Sequence, residues 1–115
     1  MDIESKFYIS NRYAVSELIN SIPINEVLER YFNVQLRKSY NNKISIPCPI
    51  HKGRNKNFTV YLDSNMATCF SKCGGKTYNI ISLAYEVFGK DFDYAMIKIA
   101  LDFNIDISKY LRVKG

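Results

Sequence analysis

One histidine and three cysteines are all that this 115-residue chain has of those two residue types. The odd cysteine count, with no signal peptide visible, argues against a secreted disulfide framework. Free thiols point instead to a reducing, cytoplasmic setting. No apolar run is long enough to span a bilayer, so no membrane partner is expected. There is no internal repeat and no low-complexity stretch. Clustered catalytic carboxylates are missing as well. Asp91 and Asp93 stand close together, but as a helix cap and a first-turn acid rather than as a metal pair. Gly75-Lys76-Thr77 looks like the end of a phosphate-binding loop, yet Phe70 stands where that loop needs a glycine. A hydrophobic content of 47% excludes a disordered chain. The net charge of +5 is mildly basic, compatible with nucleic acid and weak as a signal on its own.

What is present is arranged with economy. Cys48 and His51 form a Cys-x-x-His pair, and Cys69 and Cys73 form a Cys-x-x-x-Cys pair, with residues 52–68 between them. Zinc takes four ligands in a tetrahedron, at ~2.3 Å from sulfur and ~2.0 Å from nitrogen. Two ligands two or three residues apart can face inward from one tight turn, and a second turn brought alongside supplies the rest. Pro47 and Pro49 stiffen the first turn, and Gly74 and Gly75 loosen the second. The spacing therefore points to one structural Zn2+ held by Cys48, His51, Cys69 and Cys73. The competing reading is three buried thiols and an ordinary surface histidine, but the full ligand set is present and locally paired.

Around these turns the sequence predicts an α+β fold in a single domain, residues 1–115. Asn11 to Asn20 reads as a helix capped by Ser10 or Asn11, with Val15, Leu18 and Ile19 on one face. Pro23 fits the first position of a second helix through about Phe32, packing Ile24, Val27, Leu28 and Tyr31. Val34–Ser39 and Lys43–Pro47 read as strands around Asn41-Asn42. Phe58–Leu62 and Met66–Phe70 read as a second hairpin around Asp63-Ser64-Asn65. Tyr78–Phe88 is a helix capped by Thr77 or Asn79 and stopped by Gly89. Asp91 caps a last helix through about Phe103, with Ala95, Met96, Ile99 and Ala100 inside. The expected architecture is a zinc ribbon: a small antiparallel sheet flanked by N-terminal and C-terminal helices.

Cys48-Pro49-Ile50-His51, Phe58, and Cys69-Phe70-Ser71-Lys72-Cys73-Gly74 together resemble the zinc-binding domain of bacterial and phage DnaG-type DNA primases. Asn79-Ile80-Ile81-Ser82-Leu83 is similar to that family's helix after the glycine turn, and the likeness runs over about residues 23–107. It divides the chain into an N-terminal helical extension, 1–22, and a primase-type zinc-binding domain, 23–115. Departures are the three residues between Cys69 and Cys73, Lys56-Asn57 in place of Pro-Ser, and Asn79 in place of aspartate. The magnesium-binding polymerase domain of a primase is missing, so the chain is expected to be a stand-alone module or a part of something longer, from a mobile element or phage.

The resemblance implies a non-catalytic component of DNA replication priming, one that binds single-stranded DNA template and acts with a separate polymerase, primase or helicase protein. Arg37, Lys38, Lys43, Lys52, Arg54, Lys56, Lys72 and Lys76 are the candidate phosphate contacts. Tyr61 is a candidate stacking platform, with Tyr40, Phe58 and Phe70; Phe58 and Phe70 are expected in the core first. Four protein ligands leave zinc no open position, so the chain is not expected to be an enzyme on its own. An alternative is a protein-docking accessory or inhibitor of replication proteins on the same fold, presenting Phe7, Tyr8 and Tyr13. A zinc-ribbon transcription regulator ranks last, since no recognition-helix pattern is visible.

Overall fold

The computed structural model describes residues 6–36, 42–70 and 75–114. Along the chain run β1 (Phe7–Ile9), α1 (Arg12–Asn20), α2 (Ile24–Phe32), β2 (Lys43–Ile46), β3 (Phe58–Tyr61), β4 (Met66–Cys69), β5 (Thr77–Tyr78), α3 (Ile80–Phe88), α4 (Phe92–Asp102), a 3-10 turn (Ser108–Tyr110) and β6 (Leu111–Val113). The fold is α+β, with a four-stranded antiparallel sheet in the order β2-β3-β4-β5 and a two-stranded sheet of β1 and β6.

The helices start and stop where side-chain chemistry dictates. Asn11 accepts a hydrogen bond from the Ala14 amide, Asn79 from Ser82, and Asp91 from Tyr94, so each satisfies a donor that its helix cannot. Gly89 ends α3 at φ 95°, a conformation that costs a residue with a Cβ. Pro23 proves to be the cap of α2 rather than its first residue, and it has no side chain with which to cap. That task falls to Asn65, in the β3–β4 turn at φ 58°. Its Oδ1 accepts from the Ile24 amide at 2.8 Å, and its Nδ2 donates to the carbonyls of Asn20 and Ile22 at 2.9 and 2.8 Å. One amide thus closes the end of α1, opens α2 and ties both to the sheet.

Register sorts the larger sheet into two faces. Ile46 pairs Phe58, which pairs Cys69; Ile44 pairs Val60, which pairs Ala67, which pairs Tyr78. Phe58, Val60, Ala67, Cys69 and Tyr78 are buried on this inner face, in one cluster with Ile19, Val27, Leu28, Ile80, Leu83, Met96 and Ile99 from the helices. Lys43, Ser45, Thr59, Tyr61, Met66, Thr68 and Thr77 lie on the other face. There Ser45 and Thr59 hydroxyls meet at 3.2 Å, and those of Thr68 and Thr77 at 3.1 Å.

The structure departs from the sequence expectations at several places. Residues 34–36 are not strand, and among the described residues β2 pairs with β3; residues 37–41, including Arg37, Lys38, Tyr40 and Asn41, lie outside the described residues. Leu18 is 36% exposed, because α1 buries only Val15 and Ile19. Residue 78 belongs to β5, and α3 begins only after the Asn79 cap. The β1–β6 pair was not expected at all. Phe7 pairs Val113, Tyr8 pairs Arg112 and Ile9 pairs Leu111, joining the two ends of the described chain. Asp93 does more than favour a helix dipole: its Oδ1 accepts from the Ile9 amide at 3.1 Å and so fastens β1 onto α4.

Candidate metal centre and nucleic-acid surface

The first knuckle is the loop between β2 and β3. Lys52 adopts φ 53°, and the Gly53 amide donates to the Cys48 carbonyl at 3.0 Å, which turns the chain back and points Cys48 and His51 to the same side. The second knuckle leaves the end of β4. Its base is clamped by the Cys69 amide on the Lys76 carbonyl at 3.0 Å and the Phe70 amide on the Asn57 carbonyl at 2.7 Å. Gly75, at φ 75°, permits the return into β5. Phe58, paired with Ile46 on one side and Cys69 on the other, is wholly buried, its ring 6.1 Å from that of Tyr78.

This arrangement brings Cys48, His51 and Cys69 together, one ligand atom from each lying within 4.8 Å of the others. The Cys69 Sγ is 3.7 Å from His51 Nδ1. A sulfur and a nitrogen that share a tetrahedral zinc stand ~3.5 Å apart, given bonds of ~2.3 and ~2.0 Å. Cys48 and Cys69 are buried and His51 is half-buried, so the donors converge from inside the fold. Two thiols and an imidazole suit zinc by their softness. Cys73 lies outside the described residues, with Ser71, Lys72 and Gly74.

The chain matches the family model of the CHC2 zinc finger, the zinc ribbon of DnaG, over residues 10–114. It belongs to that family. The match begins ahead of the residue 23–107 likeness and so takes in α1 as well as the ribbon. A search of curated proteins found no match. As a CHC2 zinc finger with these three donors gathered, the protein is a primase-type zinc-binding module with a place for one structural Zn2+. No helix among the described residues is long and apolar enough to cross a membrane.

The residues expected to meet nucleic acid fall in different places. Lys43 and Tyr61 are a cross-strand pair on the outer sheet face, with the ammonium 5.9 Å from the ring centroid. Lys52, Arg54 and Lys56 are exposed in the loop that carries the first knuckle. Lys76 leans the other way: its ammonium is 4.9 Å from the Tyr78 ring and 3.9 Å from Glu86 of α3. Arg37, Lys38 and Lys72 are outside the described residues. Phe58 is core, as expected, whereas Phe70 is 60% exposed and is not. Strand alternation explains the split, because Cys69 turns inward to the site and its neighbour must turn outward. That signal was readable: once Cys69 is a ligand, Phe70 cannot share its face.

Proposed function

We propose that the protein is the template-binding, non-catalytic module of a DNA-priming system, carrying single-stranded DNA on the outer face of its larger sheet and acting with a separate primase or polymerase. The observation that carries this reading is the juxtaposition of Lys43 with Tyr61 on the outer face of the sheet, together with the 60% exposed Phe70 at the end of β4. A cation beside a ring gives a phosphate contact and a stacking platform in one place, and stacking of a base contributes ~1–3 kcal/mol. Lys52, Arg54 and Lys56 extend the positive charge along the knuckle loop. In this reading Cys73 completes the ligand set with Cys48, His51 and Cys69. Zinc, when bound, would tie the loop that carries Lys52, Arg54 and Lys56 to the strand end that carries Phe70.

The test is an anisotropy titration of zinc-loaded protein with short single-stranded DNA at two salt concentrations, with duplex as comparison. Preferential single-strand binding that weakens as salt rises is the expected result. Absence of binding by folded, metal-loaded protein would overturn it. A second reading, a docking accessory or inhibitor of a replication protein, draws on the exposed apolar residues away from the knuckles: Tyr13 at 75%, Val113 at 68%, Leu101 at 58% and Tyr8 at 40%. A replication-protein complex that survives Lys43→Gln and Lys52→Gln would favour that reading.

A further inference from the structure

An imidazole can hold a metal through either nitrogen, and the family match does not say which. We infer that His51 presents Nδ1 to the metal and that Gly53 is the positioning residue that makes this geometry available. Nδ1 is the nitrogen that faces Cys69 Sγ, at a separation close to that of two ligands sharing one zinc. The opposite edge of the ring lies on Gly53. A Cβ built there would fall 2.7 Å from His51 Nε2, 3.3 Å from Cδ2 and 3.5 Å from Cε1. The first of these is far inside van der Waals contact, so either the ring or the backbone would have to move.

Neither can move without consequence. The ring swings about its own Cβ, so a push on Nε2 also shifts Nδ1 from its present position against Cys69. The backbone of Gly53 is fixed by the hydrogen bond its amide donates to the Cys48 carbonyl and by the left-handed turn at Lys52. Gly53 is not among the glycines at positive φ, so its value here is steric rather than conformational. An alanine would fit the main chain and would offend only the imidazole. That makes the substitution a clean probe, and it stands apart from any reading of nucleic-acid binding.

Because the chain has a single histidine, long-range proton–nitrogen spectra of the zinc-loaded protein report on one ring. The expected result is a metal-bound Nδ1 and a proton on Nε2; the reverse pattern would overturn the inference. Gly53→Ala is expected to weaken zinc binding by roughly tenfold or more in chelator competition, as loss of outer-shell support does, and to change the visible spectrum of the cobalt-loaded protein. Unchanged affinity with an unchanged cobalt spectrum would overturn it. The same substitution in a His51→Cys background has no ring to strike and is expected to cost little. An equal loss in both backgrounds would show that Gly53 acts on something other than the imidazole. Should Gly53→Ala fail to fold, the spectrum of the unaltered protein still decides the ligating nitrogen.

Discussion

Val15, Ile19, Val27, Leu28, Leu83, Met96 and Ile99 are fully buried among the helices, where each aliphatic side chain contributes about 1.5–3 kcal/mol of burial. The knuckles have nothing comparable. Of residues 47–57 only Cys48 is buried, and the turn there depends on a left-handed Lys52 and a few backbone bonds. The helical region therefore holds itself together by packing, and the knuckle region by ligation. The first needs many residues that are individually replaceable; the second depends on a handful that are not. The same division separates stability from proposed use, since the candidate nucleic-acid contacts Lys43, Lys52, Arg54, Lys56, Tyr61 and Phe70 all belong to the sheet and its knuckles.

Metal removal should break the comparison most sharply. Structural zinc contributes about 10–16 kcal/mol of apparent binding energy in small zinc domains at neutral pH, which there is folding energy. Chelation is expected to abolish hydrogen-exchange protection over residues 46–76 while α1–α4 retain theirs. Falling pH should do the same, because ligation needs thiolates and a neutral imidazole. Cys69→Ser with full metal content and an unchanged melting temperature would count against the site. Asn65 is the joint between the two regions, and Asn65→Ala removes three hydrogen bonds at once. Its expected cost is about 3 kcal/mol by denaturant unfolding, at ~1 kcal/mol for each bond. A loss within experimental error would mean that helices and sheet are joined by packing alone.

Phe70→Ala should act on the knuckle's proposed use and spare its stability, since the ring is largely in solvent. Single-strand affinity is expected to fall about tenfold, the equivalent of one modest stacking contact, with no change in melting temperature; equal affinity would remove Phe70 from the interface. The smallest effect belongs to the helical region. Burial first, and then the Asp102 hydrogen bond at 2.6 Å, raise the Tyr31 hydroxyl above its ordinary value of 10.0. The folded state then keeps a proton that the unfolded state gives up, so stability falls as pH rises above about 10. Tyr31→Phe should flatten that alkaline slope in melting curves, and an identical slope would show that the hydroxyl plays no part.

Much of this was legible in residues close together in sequence. Helix caps at Asn11, Asn79 and Asp91, the stop at Gly89 and the Cys48–His51 pair are all local chemistry, fixed within a few positions of one another. Partnerships between distant segments were not legible. Asn65 read as a turn residue, though its side chain caps a helix that begins at Ile24; Asp93 read as a first-turn acid, though it holds β1. Nothing in the neighbouring sequence marks Gly53, yet a Cβ there would meet the His51 imidazole.

By itself, then, the sequence determined the metal ligand types, the helices and the family, because spacing and periodicity are written along the chain. The tertiary structure alone decided the pairing of β1 with β6, the partner of β2, the outward turn of Phe70, and the nitrogen that His51 turns toward Cys69. Those outcomes depend on which surfaces meet once the core closes, and on how little space is left when they do.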